Sequence, residues 1–261
     1  MLKAERQEQI IARLAGGGTE SVSAIAQALD VSDMTVRRDL EELAERGIVE
    51  RVYGGARMPA AVRESFSAAG IPLLREYSHT EKRRLRSEEK QRVAQRAIEL
   101  IEPSDTVFLG AGTTVEHMAR FLPDIRLRVI TNSLSAFKLL EHREHCELYL
   151  VGGLYRQQTG CFVGAMAEDA VSPLGIDKAF IGANGISGGS LFCADMDEGR
   201  IQRLVLTKAR ERYAVSDASK LGRRDFYAFF GLSDLTALVC DDVLSDAQRS
   251  EIEEQVRLIC A

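Results

Sequence analysis

The sequence has no hydrophobic run long enough to cross a membrane. Its first residues, MLKAERQEQI, lack the apolar core of a signal peptide. No later stretch approaches the roughly 18 uninterrupted apolar residues of a membrane span. Proline is scarce, at five residues, while hydrophobic residues make up 45% and charged residues 28% of the chain. This composition excludes a disordered or fibrous chain, and we expect a globular protein that stays in the cytoplasm and has no membrane partner.

Cysteine is also scarce and widely scattered. The chain has five, with no CxxC pair, at Cys146, Cys161, Cys193, Cys240 and Cys260. An odd number without paired spacing predicts reduced, mostly structural thiols. His142 and His145 lie near Cys146, but this segment offers no fourth zinc ligand. We therefore expect no metal site and no cofactor.

Positive charge is not in excess. The net charge is −5, and the first sixty residues contain eight Lys and Arg against ten Asp and Glu. This balance argues against a protein that coats nucleic acid through bulk electrostatics. Any contact with nucleic acid must therefore depend on where a few basic residues are placed.

The first part of the chain predicts three short helices and a hairpin. Apolar spacing indicates a helix over 2–14 that Gly16-Gly17-Gly18 ends, and a second helix that Ser21 caps and that ends near Asp30. Ser32 caps a third helix, Asp33 to Glu45, which Gly47 ends. A β-branched run over 48–52 and a turn at Gly54-Gly55 predict a small hairpin.

The remainder of the 261-residue chain predicts a second, larger domain. Residues 58–74 form a linker rich in Ala, Ser and Gly, and a strongly charged solvated helix follows. Short apolar runs then alternate with helical segments, which indicates an open, mostly parallel α/β sheet. The predicted strands are 106–109, 127–131, 147–151, 178–181, 211–215 and 237–240. We thus expect a small N-terminal domain at 1–57 and an α/β domain at 75–261.

The segment VSDMTVRRDL, 31–40, combines helical spacing with exposed polar residues. If Val36 and Leu40 face the core, adjacent Arg37 and Arg38 point outward, about 100° apart. Such a helix can enter the major groove of DNA. The predicted DNA-contacting residues are Ser32, Asp33, Met34, Thr35, Arg37, Arg38, Arg51 and Arg57. The alternative is that the two arginines pair with Glu41 and Glu42 on a solvated helix.

These motifs resemble the DeoR family of bacterial repressors, and the resemblance spans nearly the whole chain. The matching segments are Val31-Ser32, Thr35 to Leu40 and the hairpin sequence Arg51 to Ala56. The resemblance implies a winged helix-turn-helix followed by a sensor domain. In this family the sensor is related in fold to ribose-phosphate isomerases and usually binds a phosphorylated metabolite.

Several loops of the second domain carry candidate effector-binding residues, because ligands bind at the carboxyl ends of strands in such sheets. A Gly-rich turn after a strand can cradle an anion at the start of a helix. The predicted effector-binding residues are Gly110, Gly112, Thr113, Thr114, Thr131, Asn132, Ser133, Gly152, Gly153, Asp195, Glu198 and Lys220. The alternatives stay open: the glycines serve turn geometry, Asn132 caps a helix, and the acids are surface caps. His117 either approaches this pocket or faces solvent.

The resemblance and the motifs together predict a homodimeric or homotetrameric repressor of a carbohydrate-catabolism operon. Its partners are double-stranded operator DNA and a phosphorylated sugar that releases it. A rival hypothesis is a sugar-phosphate isomerase with an appended DNA-binding domain, in which Asp195, Glu198 and Lys220 supply acid-base groups. A third is a protein-interaction adaptor built on a winged helix, which predicts no salt-sensitive DNA affinity.

Overall fold

The computed structural model describes residues 3–15, 18–45, 48–59 and 79–261. The chain divides into two compact units, Met1–Leu73 and Leu74–Ala261. Most of the predicted linker lies outside the described residues. Its first residue, Met58, is buried in the core of the first unit. The predicted domain boundaries stay a prediction.

The first unit contains the three predicted helices in their predicted order. Its elements are α1 (Lys3–Ala15), β1 (Thr19–Ser21), α2 (Val22–Leu29), α3 (Asp33–Glu45), β2 (Glu50–Val52) and β3 (Gly55–Arg57). The predicted caps are confirmed. The Ser21 hydroxyl accepts from the Ala24 amide at 3.1 Å, and the Ser32 hydroxyl accepts from the Thr35 amide at 3.2 Å. The predicted stop signals Gly16, Gly17 and Gly47 lie outside the described residues.

The core of this unit comes from the apolar faces of its helices. Its fully buried side chains, each with 0% exposure, include Ile10, Ile25, Val36, Leu40 and Leu43. The buried residues of α3, namely Val36, Leu40 and Leu43, follow the three- and four-residue spacing of one helix face. One stripe of the helix is therefore buried, and the opposite face is left to solvent. The helix that carries VSDMTVRRDL therefore presents most of its polar residues outward, and Asp39 is the buried exception.

The hairpin is part of a three-stranded sheet, which the sequence did not predict. The strand order is β1-β3-β2, and β1 pairs antiparallel with β3. The predicted turn at Gly54-Gly55 is wrong by one residue, since Tyr53 and Gly54 form the turn and Gly55 begins β3. A Cβ on Gly55 would lie 2.1 Å from the Glu20 carbonyl oxygen. Gly55 is thus required by the close approach of β1.

The second unit is built on a seven-stranded sheet. Its helices are α4 (His79–Arg84), α5 (Ser87–Ile98), α6 (Thr113–Phe121), α7 (Leu134–Leu140), α8 (Ala165–Val171), α9 (Met196–Lys208) and α10 (Asp246–Glu253). The sheet strands are β4 (Thr106–Leu109), β5 (Leu127–Thr131), β6 (Cys146–Leu150), β9 (Lys178–Ile181), β12 (Glu211–Ser216), β14 (Ala237–Cys240) and β15 (Leu258–Cys260). The remaining strands are β7 (Leu154–Arg156), β8 (Cys161–Val163), β10 (Gly185–Ser187), β11 (Ser190–Cys193) and β13 (Tyr227–Gly231).

All neighbouring strands of the large sheet run parallel, as predicted. The six predicted strands are present, and β6 begins one residue earlier than expected. Sequence patterns did not predict β15, the β7–β8 hairpin or the antiparallel sheet β10-β11-β13. These are three to five residues long, too short to show a clear period.

Hydrophobic cores cover both faces of the large sheet. Helices α5, α6 and α7 supply one core, through residues such as Val93, Met118 and Leu140. Helices α8, α9 and α10 supply the other, through residues such as Val171 and Val205. A parallel sheet buried on both faces leaves the ends of its strands as the accessible place for a ligand.

The strand order fixes where along that edge a crevice opens. The order is β15-β14-β12-β9-β4-β5-β6. The chain runs outward from β4 through β5 to β6, then returns to the opposite side of β4 and continues through β9, β12, β14 and β15. The order in which the chain adds strands to the sheet therefore reverses between β4 and β9, although all the strands are parallel. Ligands of open α/β sheets bind beyond the carboxyl ends of the strands at such a reversal.

Candidate functional site

The start of α3 presents an exposed polar surface. Ser32, Asp33, Arg37 and Arg38 are exposed, and Met34 is 73% exposed. Thr35 is half-buried, and its hydroxyl lies 2.8 Å from that of Ser32. The predicted residues thus share one surface at the N-terminal end of the helix, which is the end that contacts base edges in helix-turn-helix proteins.

The two arginines of this surface do not pair with the acids one turn on. Glu41 contacts Arg51 at 3.3 Å, and Glu42 contacts Lys3 at 2.5 Å. The hydrogen bond from Lys3 lowers the pKa of Glu42. Among the described residues, no ion pair within 4.0 Å involves Arg37 or Arg38, although the charge of Arg38 also contributes to the lowered pKa of Glu42. Both guanidinium groups are exposed for phosphate or base contacts.

The hairpin carries the other two predicted arginines. Arg51 and Arg57 are exposed, and Arg57 contacts Glu50 at 2.8 Å. Exposed pairs of this kind contribute little and exchange readily for a phosphate. Tyr53, at the tip of the turn, is the most exposed large hydrophobic residue in the part of the chain that the structure describes, at 108%. Sequence reasoning did not single it out, although an aromatic residue beside a turn glycine was visible there.

A cavity of about 70 Å³ lies at the carboxyl ends of β4, β9 and β12, where the sheet reverses. Three strand-end loops and residues of α4, α5, α6 and α9 contribute to its wall. The lining residues are His79, Lys82, Lys90, Ala111, Gly112, Thr113, Thr114, Thr159, Gly182, Ala183, Asn184, Cys193, Glu198, Gln202, Val215, Ser216, Asp217 and Lys220.

Five predicted effector-binding residues meet at this cavity. They are Gly112, Thr113, Thr114, Glu198 and Lys220. Seven others do not line it, namely Gly110, Thr131, Asn132, Ser133, Gly152, Gly153 and Asp195. The predicted edge of the sheet is therefore occupied by a cavity, but its centre lies at β4, β9 and β12 rather than at the loops after β5 and β6.

Several residues outside the cavity have a structural explanation. A Cβ on Gly110 would lie 2.7 Å from Cδ1 of Ile181 and 3.3 Å from the Phe180 carbonyl oxygen, so the close packing of β4 and β9 favours glycine there. The Thr131 hydroxyl donates to the Leu109 carbonyl at 2.7 Å and is fully buried. These contacts support the geometric alternative at Gly110 and Thr131, whose role in ligand binding stays a prediction.

Helix caps account for two more of these residues. Ser133, and not Asn132, caps α7 by accepting from the Ala136 amide at 3.2 Å. Asp195 caps α9, where it accepts from the backbone amides of Asp197 and Glu198 at 3.0 Å each. Asn132 donates to the Phe162 carbonyl at 3.0 Å. The capping alternative for the acids is thus realised at Asp195, while Glu198 lines the cavity.

One end of the cavity is cationic. Lys82, Lys90 and Lys220 all line it, and the charges of Lys82 and Lys220 both act on Lys90. Lys90 lies in the charged stretch predicted to be solvated, and that prediction is wrong for this residue, which is only 3% exposed. Its ammonium donates to the carbonyls of Lys82 and Leu85, each at 2.6 Å. A charge run gives no sign of which member turns inward, so sequence reasoning missed Lys90.

Burial and neighbouring charges shift the pKa values of two groups beside this end, Lys90 and Asp217. Burial lowers the pKa of Lys90 to about 8, although Asp217 opposes the shift. Burial alone would raise the pKa of Asp217, but Lys220 and Lys90 outweigh it and the pKa is lowered. Asp217 is therefore ionised at neutral pH, and a second anion would find more than one lysine beside it.

The start of α6 adds a partial positive charge to the same end. Gly112 is the N-cap of the helix, and a glycine has no side chain that could accept a hydrogen bond from the first amides. Thr113 and Thr114 are 7% and 6% exposed and line the cavity. A helix N-terminus with unsatisfied amides beside lysines is suited to bind a phosphate.

The other end of the cavity contains hydrogen-bond acceptors. Glu198 is 5% exposed, accepts from the Cys161 thiol at 3.2 Å and lies 4.0 Å from Arg156. Burial, and then the charge of Glu198, raise the pKa of that thiol, which is therefore neutral. Gln202 follows one turn later on α9. The lining thus contains a group of lysines, the lysine end, and a group of acceptors on α9, the acceptor end.

Two negative findings apply to the described part of the chain. No group of three or more His, Cys, Asp or Glu residues there is arranged to hold a metal ion. None of the described helices is both long and apolar enough to span a membrane.

His117 does not line the cavity, and burial lowers its pKa.

A winged helix-turn-helix joined to an α/β domain with a lysine-lined cavity at its strand ends is the architecture of a ligand-responsive DNA-binding regulator. The chain belongs to the DeoR family. Residues 6–62 match the DeoR-like helix-turn-helix domain, and residues 85–242 match the DeoR C-terminal sensor domain.

Curated relatives are similar along most of their length. The chain is 39% identical over 243 residues to the lactose phosphotransferase system repressor of Streptococcus mutans, covering 92% of this chain and 93% of that one. It is 37% identical over 262 residues to the repressor of the same name from Staphylococcus epidermidis, covering 99% and 100%.

Solved structures show a weaker likeness. Ribose 5-phosphate isomerase A of Methanocaldococcus jannaschii matches with a TM-score of 0.39 and 22% identity, over 52% of this chain and 54% of that chain. Translation initiation factor eIF-2B of Pyrococcus horikoshii matches with a TM-score of 0.42 and 15% identity, over 86% and 74%. Likeness at this level assigns no activity to the chain.

Proposed function

We propose that this protein represses an operon for carbohydrate catabolism and is released from its operator by a phosphorylated sugar. The observation that carries the proposal is the cavity at the sheet reversal, where three lysines and the start of α6 face acceptors on α9. A phosphate fits the first end, and sugar hydroxyls fit the second. The relatives named as repressors of a sugar transport system support the same function.

On the DNA side, Arg37 and Arg38 are the central contacts. Adjacent exposed positions on a helix diverge by about 100°, so one arginine reads a guanine edge while the other holds a phosphate. Arg51 and Arg57 position the wing on the backbone. Two half-sites of a palindromic operator require two copies of the chain, which is why we propose a homodimer or homotetramer.

Helix α4 gives a route by which a ligand affects DNA binding. It is the first described element after the first unit, and it supplies His79 and Lys82 to the cavity wall. Lys82 donates to the Asn184 side chain at 3.0 Å. A phosphate held by Lys82 and Lys90 therefore fixes the position of α4, from which residues 60–78 lead to the DNA-binding unit. By linkage, the ligand then lowers operator affinity as much as the operator lowers ligand affinity.

The test is operator release. Fluorescence anisotropy would follow binding to DNA from the promoter of the neighbouring operon while a panel of sugar phosphates is titrated. We expect one sugar phosphate of the panel to release the unmodified protein from the DNA. It should also release the control variant Lys138→Met, whose lysine is exposed on α7. It should not release Lys220→Met. The proposal fails if none of the panel changes operator affinity.

An isomerase is the second candidate, because Glu198 and Lys220 line the same cavity. Acid-base isomerisation needs such a carboxylate within reach of the substrate. We propose that the protein only binds its ligand, and aldose-to-ketose conversion by the purified protein would decide this. Turnover that Glu198→Gln abolishes would establish the enzyme instead.

A further inference from the structure

Gln202 has an unusual side-chain environment for a buried residue. It is 7% exposed and lines the cavity. Its side-chain oxygen Oε1 is buried and has no hydrogen-bond partner among the described residues. An amide oxygen removed from water without a partner destabilises a folded protein, so such groups are rare unless a ligand or water completes them.

The position of Gln202 on α9 shows which part of a ligand it would meet. Glu198 and Gln202 are four residues apart and so lie on the same helix face. Glu198 already holds the Cys161 thiol and faces Arg156. Both side chains offer oxygen acceptors, whereas phosphate would be repelled by Glu198 and drawn to the lysines. The partner that Gln202 lacks is therefore a donor, and a hydroxyl group is the donor that sugars carry.

We infer that Gln202 is the residue that selects for hydroxylated ligands, by accepting a hydrogen bond from a sugar hydroxyl while the lysine end holds the phosphate. This inference rests on the proposed function, since it assigns the second half of the same ligand. It separates two contributions to binding. Simple phosphomonoesters use only the lysine end, and sugar phosphates use both ends.

The test compares ligands with and without hydroxyls. The probes are inorganic phosphate, n-hexyl phosphate and the tightest binder among glucose 6-phosphate, fructose 6-phosphate, galactose 6-phosphate and ribose 5-phosphate. Calorimetry would measure the affinity of each probe for three forms of the full-length protein: the unmodified protein, Gln202→Leu and the control Gln95→Leu. Gln95 is exposed on α5. Leucine matches glutamine in size and removes the amide.

We expect Gln202→Leu to weaken the binding of the sugar phosphate by ~10- to 100-fold. The affinity for each of the two probes without carbon-bound hydroxyls should stay within about twofold of its value in the unmodified protein. Gln95→Leu should change none of them. Removal of an unsatisfied buried amide should also leave the melting temperature of the ligand-free protein unchanged or raise it by a few degrees. A residue with a structural role would lower it.

Three results would overturn the inference. Equal weakening of all probes would assign Gln202 a general structural role, and undiminished sugar phosphate binding would show that it makes no contact. If inorganic phosphate binds the parent but no sugar phosphate binds more tightly, the proposed function fails as well. Should Gln202→Leu not fold, Gln202→Met, with its adaptable side chain, decides by the same comparison.

Discussion

Removal of the Asp39 carboxylate should strongly destabilise the DNA-binding unit while leaving the sensor unit intact. Asp39 lies between the exposed Arg38 and the buried Leu40, yet its side chain is 1% exposed. Arg6 of α1 donates to it through two nitrogens, one at 3.2 Å, and the Arg6 side chain is only 12% exposed. This pair therefore joins α1 to α3 in a place that water hardly reaches.

The expected magnitude follows from burial. Breaking a buried ion pair by removing one partner destabilises by about 3–5 kcal/mol, because the remaining charge stays buried without compensation. Domains are stable by only about 5–15 kcal/mol in total. Asp39→Ala should thus remove a large share of the stability of the first unit. Glu50→Ala, which breaks the exposed pair with Arg57, should change stability by less than about 0.5 kcal/mol.

Hydrogen exchange with mass spectrometry can measure the two units separately. In Asp39→Ala, peptides from α1 and α3 should exchange on the order of 100-fold faster or more, while peptides from β4 and β9 keep the parent rate. The affinity of Asp39→Ala for operator DNA should also be lost, because α3 is the helix that would contact the DNA. The double variant Arg6→Met/Asp39→Leu should recover most of the protection, since a well-packed apolar pair replaces a buried ion pair without loss. Parent-like exchange of α1 and α3 in Asp39→Ala would refute the reasoning.

Three other outcomes can be measured directly. Arg38→Ala should abolish specific operator binding in a mobility-shift assay and keep sugar phosphate affinity; parent-like DNA binding would show that the recognition surface is misassigned. Because the pKa of Lys90 is lowered to about 8 and its charged form favours an anion, affinity for a sugar phosphate should fall about tenfold from pH 7 to 9, whereas Lys90→Met should show a flat profile by calorimetry. Gly55→Ala should lower the melting temperature of the first unit by several degrees, as a methyl group collides with the Glu20 carbonyl, while Gly54→Ala, with no atom within 4 Å, strains only the turn.

Local signals in the sequence were enough for most elements of the fold. Ser21 and Ser32 begin helices because their hydroxyls accept nearby backbone amides, which depends on a few neighbouring residues only. The long strands were visible as apolar runs between helical segments. The strands that were missed, such as β15 and the two strands of the β7–β8 hairpin, are only three residues long, and β15 is in addition held by a strand from an earlier part of the chain, β14.

The sensor cavity shows how far such signals extend. The Gly112-Thr113-Thr114 turn was predicted because a glycine-rich strand-to-helix loop is a local feature. Lys90 and Gln202 were not predicted, since a lysine in a charge run and a glutamine in a helix give no sign that they turn toward a ligand. Their burial, 3% and 7% exposed, depends on how α5 and α9 pack on the sheet.

The sequence by itself determined that this chain has a helix-turn-helix with a small hairpin, a parallel α/β domain and a glycine-rich turn after β4. Only the tertiary structure decided where the ligand cavity lies. Strand order is set by packing between segments distant in the chain, and it placed β9 and β12 beside β4 on the side opposite to β5. The crevice therefore opened at Lys220 and Glu198 rather than at Asn132 and Gly153.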